Sequence, residues 1–541
     1  MRKLSGMKLD DDEDLGRPDR VEAFQTDDEE NQAERAHLDD DTDSDSSSPS
    51  TKLSISVDAT IWPQSYRQSM DMLTSVTPPP VSFLRNTAST GAISFLSSAY
   101  KRSQVGQSES SLIDPLIPST SSIKEEEPTL VQGHFSSCSK FSYSELPPPQ
   151  KQCSFAQSVL NGTNILCGLG LLTTPYALKQ GGWFSLTILL MFAIMCYNTG
   201  ILLRRCLDSS PGLETYPDIG QAAFGSAGRL GISIALYLEL YASCVEYIIL
   251  MTDNLCSIFP NTQMRIAGID FDAQQTLAII VALVVLPTVW LRNLSLLSYL
   301  SVGGIFASIL VTTSLFWVGV DQVGFHPGGK AIDLANLSVT IGLYGFGFAG
   351  HSVFPNIYSS MKEPSKFPAV LMISFGFCFV MYTGVAIAGY LMFGDSIKTQ
   401  YTLNMPQELY ASKIAVWTTI VIPLNKFALT LLPVALSIEE LLPSPKLRNY
   451  ATSVVVRTLL VFSCLVVALT FPYFGAVMAL IGSALAMSVA LVIPCASYLK
   501  IFNGRLSKTE VGKCFLIIVV GVVCALLGTY SAITRLASKG E

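Results

Sequence analysis

Charge is what this sequence has least of. Only 14% of its 541 residues are charged while 49% are hydrophobic, and the mean hydropathy is +0.42. A soluble globular chain carries about 25% charged residues, so composition excludes an ordinary cytosolic enzyme. A nucleic-acid binder, which needs a basic face, is excluded with it. Paired cysteines are missing too. The 12 cysteines stand singly from Cys138 to Cys524, several inside apolar runs (Cys167, Cys196, Cys244, Cys378, Cys464). With no C-x-x-C and no ligand spacing to the 4 histidines, neither a redox motif, a metal site nor a cofactor is expected. The thiols read as small buried apolar groups. Ser, His and acid never gather in a hydrolytic motif, which argues against an enzyme, and no filter motif suggests a channel. No apolar stretch of signal-peptide type lies within residues 1–150. Insertion is therefore expected at an internal span, with the N-terminus left in the cytosol.

What is present divides in two. The formal net charge of −7 averages over residues 1–50, with 17 acids against 6 Lys/Arg, and residues 151–541, with 22 bases against 17 acids. Residues 1–150 hold the acidic runs Asp10–Asp14, Asp27–Glu30 and Asp39–Asp41, then Ser/Thr-rich chain punctuated by Pro78–Pro80 and Pro147–Pro149. Such a composition buries too little apolar area to offset chain entropy, and the segment is expected to be a disordered cytosolic tail. It reads equally as a carrier of phosphorylation or sorting signals for cytosolic regulators and as a solvated spacer.

Residues 151–541 are a run of long apolar segments. Eleven meet the length of about 20 residues needed to span a bilayer: 154–177, 183–205, 228–257, 274–291, 296–320, 336–358, 368–393, 411–440, 447–470, 473–499 and 513–536. With a cytosolic start, 12 Lys/Arg of the core fall on the cytosolic side and 7 on the other, in line with the positive-inside rule. An all-α polytopic membrane protein is expected.

Two of these spans make poor continuous helices. The first reads Asn161-Gly-Thr-Asn-Ile-Leu-Cys-Gly-Leu-Gly170 and then reaches Pro175; the sixth reads Gly342-Leu-Tyr-Gly-Phe-Gly-Phe-Ala-Gly350 and then reaches Pro355. Interior glycine costs a helix about 1 kcal/mol, and proline disfavours helix in the residue before it. Spans one and six are equivalent positions in an inverted-repeat transporter, where paired interruptions mark the binding site. Unwound backbone at membrane depth must line a cavity or meet a ligand. Half-helix N-termini attract a carboxylate and freed carbonyls an ammonium, a combination suited to a zwitterion. Close helix packing on small residues is the competing explanation.

Ionisable groups within spans are the second signal. Glu239, Glu246 and Asp253 recur every seven residues along the third span, forming one slowly drifting stripe. Carboxyls at that depth must face the bundle, be paired, or hold a proton, and the first two are candidates for proton coupling or for structural hydrogen bonds. Asp253 falls near the far interface. Lys426, midway along the eighth span, calls for a partner, with Glu239 or Glu246 the obvious choices. Its cation also suits a position that a sodium ion fills in related architectures. His351 directly follows the glycines of span six, and an unperturbed pKa of about 6.5 suits a proton sensor as well as a polar packing role.

The run Ser154-Phe-Ala-Gln-Ser-Val-Leu-Asn-Gly-Thr-Asn-Ile-Leu-Cys-Gly-Leu-Gly170, continuing through Thr173-Thr-Pro-Tyr-Ala-Leu-Lys-Gln-Gly-Gly-Trp183, resembles the amino acid/auxin permease family. Gly350-His-Ser-Val-Phe-Pro-Asn-Ile-Tyr358 and Lys362-Glu-Pro-Ser-Lys366 are similar to its plant vacuolar amino acid transporter branch, with vesicular inhibitory amino acid transporters more distant. The likeness covers residues 150–541. It implies eleven spans, the first ten forming a LeuT-like five-plus-five inverted repeat with one extra helix. It also implies proton-driven amino acid movement, commonly by exchange, across a vacuolar or other acidic-organelle membrane. Carried over by position, Thr163, Asn164, Cys167, Gly168 and Gly170 would surround the substrate's carboxylate and ammonium, with Tyr344, Gly345 and Phe346 opposite. The expected substrate is a neutral amino acid, since neither broken segment carries a charge. The alternatives are another small zwitterion or acid, auxin included, and a substrate sensor with little net flux.

Overall fold

The computed structural model describes residues 62–74, 153–266, 268–291, 303–442 and 450–539. Within the expected membrane core it is almost wholly helical. A Ser154–Gln157 capping box opens α2 (Phe155–Leu166), which stops at Cys167, and α3 (Gly170–Gly181) follows after a bend of 48°. α4 (Ser185–Leu207) crosses back. α5 (Tyr216–Ile258) begins with a Thr215–Asp218 capping box and bends at Gly225, where φ of 68° and ψ of −158° need a residue without a side chain. The bend lets Arg229 pair with Asp218 at 2.8 Å and separates a surface segment from the span proper.

A short antiparallel hairpin, β1 (Met264–Ile266) and β2 (Ile269–Phe271), leads into α6 (Ala273–Trp290), capped by Asp272 and Gln275. Then come α7 (Gly304–Val318), α8 (Leu337–Gly347), α9 (Phe354–Ser360), α10 (Phe367–Phe393), α11 (Tyr410–Glu440) and α12 (Tyr450–Thr470). α13 (Phe474–Ile481) joins α14 (Ile493–Ile501) through wider π turns, and α15 (Lys508–Lys539) is the last described helix.

Among the described residues nine helices are long and apolar enough to cross a membrane, and the bent pair α2–α3 makes a tenth. The expected sixth span is occupied by two short helices, α8 and α9, with irregular chain between them. The helices form two groups. α2, α3, α8 and α10 pack on one another around the interruptions, while α5, α6, α11 and α12 pack together beside them, with α7 against α11. The breaks lie where the groups meet.

Most of the expected disordered tail lies outside the described residues. Residues 62–74 do not follow its composition: they form α1 (Tyr66–Thr74), docked on the helix bundle. Tyr66, Ser69 and Met70 are fully buried there and Leu73 is partly so. These positions follow the i, i+3, i+4, i+7 spacing of a helical face, a local pattern that the average over 150 residues conceals.

Candidate functional site

The first break frees backbone carbonyls, and side chains from three other helices take them up. Lys426 of α11 donates Nζ to the Asn164 carbonyl at 3.3 Å. Ser308 of α7 donates its hydroxyl to the Cys167 carbonyl at 3.0 Å. The Tyr382 hydroxyl of α10 lies in hydrogen-bonding reach of the Leu166 carbonyl and, at 2.9 Å, of the Gly347 carbonyl that ends α8. One phenol proton therefore bridges both breaks. The breaks also touch directly, because a Cβ on Gly170 would stand 2.7 Å from the Gly347 Cα. Gly304 similarly lets α7 pass beside Asn164 and the Lys426 stem, whose Cε lies 3.5 Å from where a Cβ would be.

Between the breaks lies a cavity of about 130 Å³. Its walls include Asn164, Gly168 and Gly170 from span one, Phe346, Ala349 and Ser352 from span six, Glu239 and Ser243 from α5, and Lys426. The sequence-predicted residues thus divide. Asn164, Gly168, Gly170, Phe346, Glu239 and Lys426 meet around this space. Cys167 lines a smaller neighbouring cavity of about 40 Å³, which Lys426 and Gly168 share. Thr163 points instead to Ser374 of α10 (3.3 Å) and Tyr344 to Ser185 of α4 (3.3 Å), and Gly345 packs against Met487.

The proton-coupling candidates divide as well. Glu239 is buried on the cavity wall, and its Oε2 has no hydrogen-bond partner among the described residues. Glu246 is wholly buried away from that cavity, and among the described residues both of its carboxyl oxygens lack a partner. Among the described residues neither forms an ion pair with Lys426 within 4.0 Å. The expected carboxylate partner of Lys426 is replaced by the Asn164 carbonyl, which the helix break makes available. His351 faces α4: its Nε2 lies 2.9 Å from the Thr199 hydroxyl and 3.1 Å from the Cys196 carbonyl. Since a carbonyl can only accept, Nε2 carries the hydrogen, and the ring clips α4 to the second break.

At the opposite end of the bundle from α1, a second cavity of about 150 Å³ is lined by Tyr176, Asp253, Thr399 and Arg535 among others. Asp253 accepts from Gln400 at 2.9 Å. Nearby, Asn336 of the sequon Asn336-Leu-Ser338 accepts from Arg535 and donates to Asp333 at 3.3 Å. The hydrogen bond from Lys330 at 2.9 Å holds the Asp333 carboxyl below its ordinary range. Tyr382, Ser308, Gly304 and α1 are elements of the candidate site that sequence reasoning missed. A tyrosine or serine in an apolar run carries no mark of its partner, whereas the spacing of Tyr66, Met70 and Leu73 was readable.

Comparisons with known proteins place the sequence in a family. The family model described as transmembrane amino acid transporter protein matches residues 151–534. The amino acid transporter AVT1D of Arabidopsis thaliana is 56% identical over 487 residues, covering 88% of this chain and 87% of its own. AVT1E of the same plant is 52% identical over 547 residues, covering 98% and 100%. A solved Na+-coupled sialic acid symporter, substrate-bound and outward-open, aligns with 70% of this chain and 89% of its own at 13% identity and a TM-score of 0.43, a likeness too loose to build on. The family match and the identity to whole relatives establish that this chain belongs to the transmembrane amino acid transporter family.

Proposed function

We propose that the protein carries neutral amino acids across the vacuolar membrane in exchange for protons, with its N-terminus in the cytosol. The observation that carries this reading is the cavity between the two breaks, which holds one carboxyl, Glu239, and one ammonium, Lys426, that do not pair with each other. An α-amino acid bears the complementary pair of charges. Its carboxylate suits Lys426 and the N-terminus of α3 at Gly170, where the helix dipole favours an anion. Its ammonium suits the Glu239 carboxylate and the carbonyl end of α8.

This geometry supports exchange. An ionised Glu239 supplies the counter-charge for the substrate ammonium. A protonated Glu239 does not, so the carrier holds a proton or an amino acid at that point, but not both. An acidic compartment would load the proton and release the substrate there, and a near-neutral cytosol would reverse the choice. Lys426 holds the freed carbonyl of span one with a fixed cation and stabilises the break whether or not substrate is bound. Vacuolar placement is supported by the resemblance of the two broken segments to the vacuolar branch.

Uptake of a mixed set of labelled amino acids into proteoliposomes with an acidic interior tests the reading. Accumulation that a proton ionophore abolishes is the expected result. Saturable binding without accumulation would replace the carrier with a sensor.

A further inference from the structure

The cavity between the breaks has a wall that does not belong to the membrane core. Leu73, from the last turn of α1, lines it together with Glu239 and Lys426. We infer that α1 is a detachable stopper: residues 62–74 close this cavity from the N-terminal side of the bundle, and must undock before solute enters from there. The consequence for transport rests on the function proposed above, whereas the closure itself does not.

The docking is built on both helix groups at once. On the α5 and α11 side, the Trp62 indole donates to the Ser437 carbonyl at 3.0 Å. The backbone N–H groups of Gln64 and Ser65 both reach the Glu440 carboxylate, and Arg229 donates to the Pro63 carbonyl at 3.3 Å. On the span-six side, the Tyr66 hydroxyl donates to the Ser352 carbonyl, inside the second break, at 3.0 Å. The Asn356 amide of α9 donates to the Asp71 carboxylate at 3.1 Å, and Arg67 pairs with Glu214. One short element thus ties the broken span six to the helices beside it. Any motion that opens the cavity on this side by separating the two groups must break contacts to α1.

Three features make the element a stopper rather than a fixed part of the core. Helices shorter than about 12 residues are marginal in water on their own, so α1, with nine residues, owes its helicity to the docking. Its hydrogen bonds and ion pairs can be exchanged for bonds to water on release, so the cost of undocking falls mainly on one small apolar face, that of Tyr66, Met70 and Leu73. And a long stretch of sequence, residues 75–152, separates it from the first span, so chain connectivity does not force it into the mouth.

Labelling of a cavity residue reads closure directly. Ser243 lines the cavity on α5, and Ser243→Cys in the full chain provides a thiol there. In detergent, its rate of reaction with a polar maleimide, above that of the Ser243 parent, is expected to be slow with α1 intact. Trp62→Ala with Tyr66→Ala should speed it at least tenfold, and Tyr66→Phe, which removes only the hydrogen bond to Ser352, should speed it by a smaller factor. Equal rates in all three backgrounds would overturn the proposal. No amino acid and no gradient enters the assay, so a protein that fails to transport can still pass it, and an active carrier can still fail it.

Discussion

The two breaks are alike in sequence and unlike in their wiring. The first gives up the carbonyls of Asn164, Leu166 and Cys167 to an ammonium, a phenol and a hydroxyl from three separate helices. Both also close partly on themselves, Gly168 N–H returning to the Leu166 carbonyl at 2.8 Å in the first, and Ala349 N–H to the Phe346 carbonyl at 3.0 Å and Val353 N–H to the Gly350 carbonyl at 3.1 Å in the second. The carbonyls of the second break receive the hydroxyls of Tyr382 and of Tyr66 of α1, while its His351 ring reaches Thr199 and Cys196 of α4. The first is therefore tied to the group that carries charge in the site, and the second to the element that closes it. On the reading proposed above, binding chemistry and access fall to different halves of the same cavity wall.

The sharpest way to break this comparison is at the point where the two interruptions touch. Gly170→Ala places a Cβ 2.7 Å from backbone of the second break, which cannot swing away as a side chain end can. Overpacking of this kind typically costs about 1–3 kcal/mol, and labelled uptake by the purified variant is expected to fall at least about tenfold. Gly376→Ala on α10 is the control, because a Cβ there would meet nothing within 4 Å; uptake within about twofold of the parent is expected there. Equal loss in both variants would show that the breaks do not depend on that approach.

Next comes the shared phenol. Tyr382→Phe takes the phenol from the Gly347 carbonyl, while the Leu166 carbonyl keeps the Gly168 N–H at 2.8 Å, and an unsatisfied buried group costs about 1–3 kcal/mol. A lower unfolding temperature in detergent, together with slower uptake, is expected. An unchanged unfolding temperature would mean that the hydroxyl is not a bridge. The smallest effect belongs to Ser308→Ala. It removes a neutral hydrogen bond worth about 0.5–1.5 kcal/mol, and a loss of affinity of no more than about tenfold is expected in a binding titration. A larger loss than that of Tyr382→Phe would reverse the ranking of the donors.

Much of this was legible in the sequence, for physical reasons that also mark its limit. Glycine and proline act on their own backbone, so Gly168, Gly170, Gly345 and Pro355 announce interruptions without reference to any neighbour. A buried carboxyl or ammonium is costly wherever it is, so Glu239 and Lys426 stand out against apolar runs. Partners are a tertiary property. Nothing local tells Lys426 that the Asn164 carbonyl replaces a carboxylate, or tells Tyr382 that it reaches both breaks. His351 follows the glycines of the second break, yet its ring turns to Thr199 and Cys196 of α4. In α1 the information was local but diluted, four positions of one face within a long polar stretch.

The account stands on Glu239 being the place where proton and amino acid exclude each other. Its most direct test is the affinity of a transported amino acid, measured by equilibrium binding across pH, for the parent and for Glu239→Gln. The parent should bind more weakly as the medium is acidified, because protonation removes the counter-charge of the substrate ammonium. Glu239→Gln should bind about 10–100-fold more weakly at neutral pH, the worth of one charge-assisted hydrogen bond, and should not respond to pH. A Glu239→Gln protein that keeps the parent's affinity and its pH dependence would contradict the account.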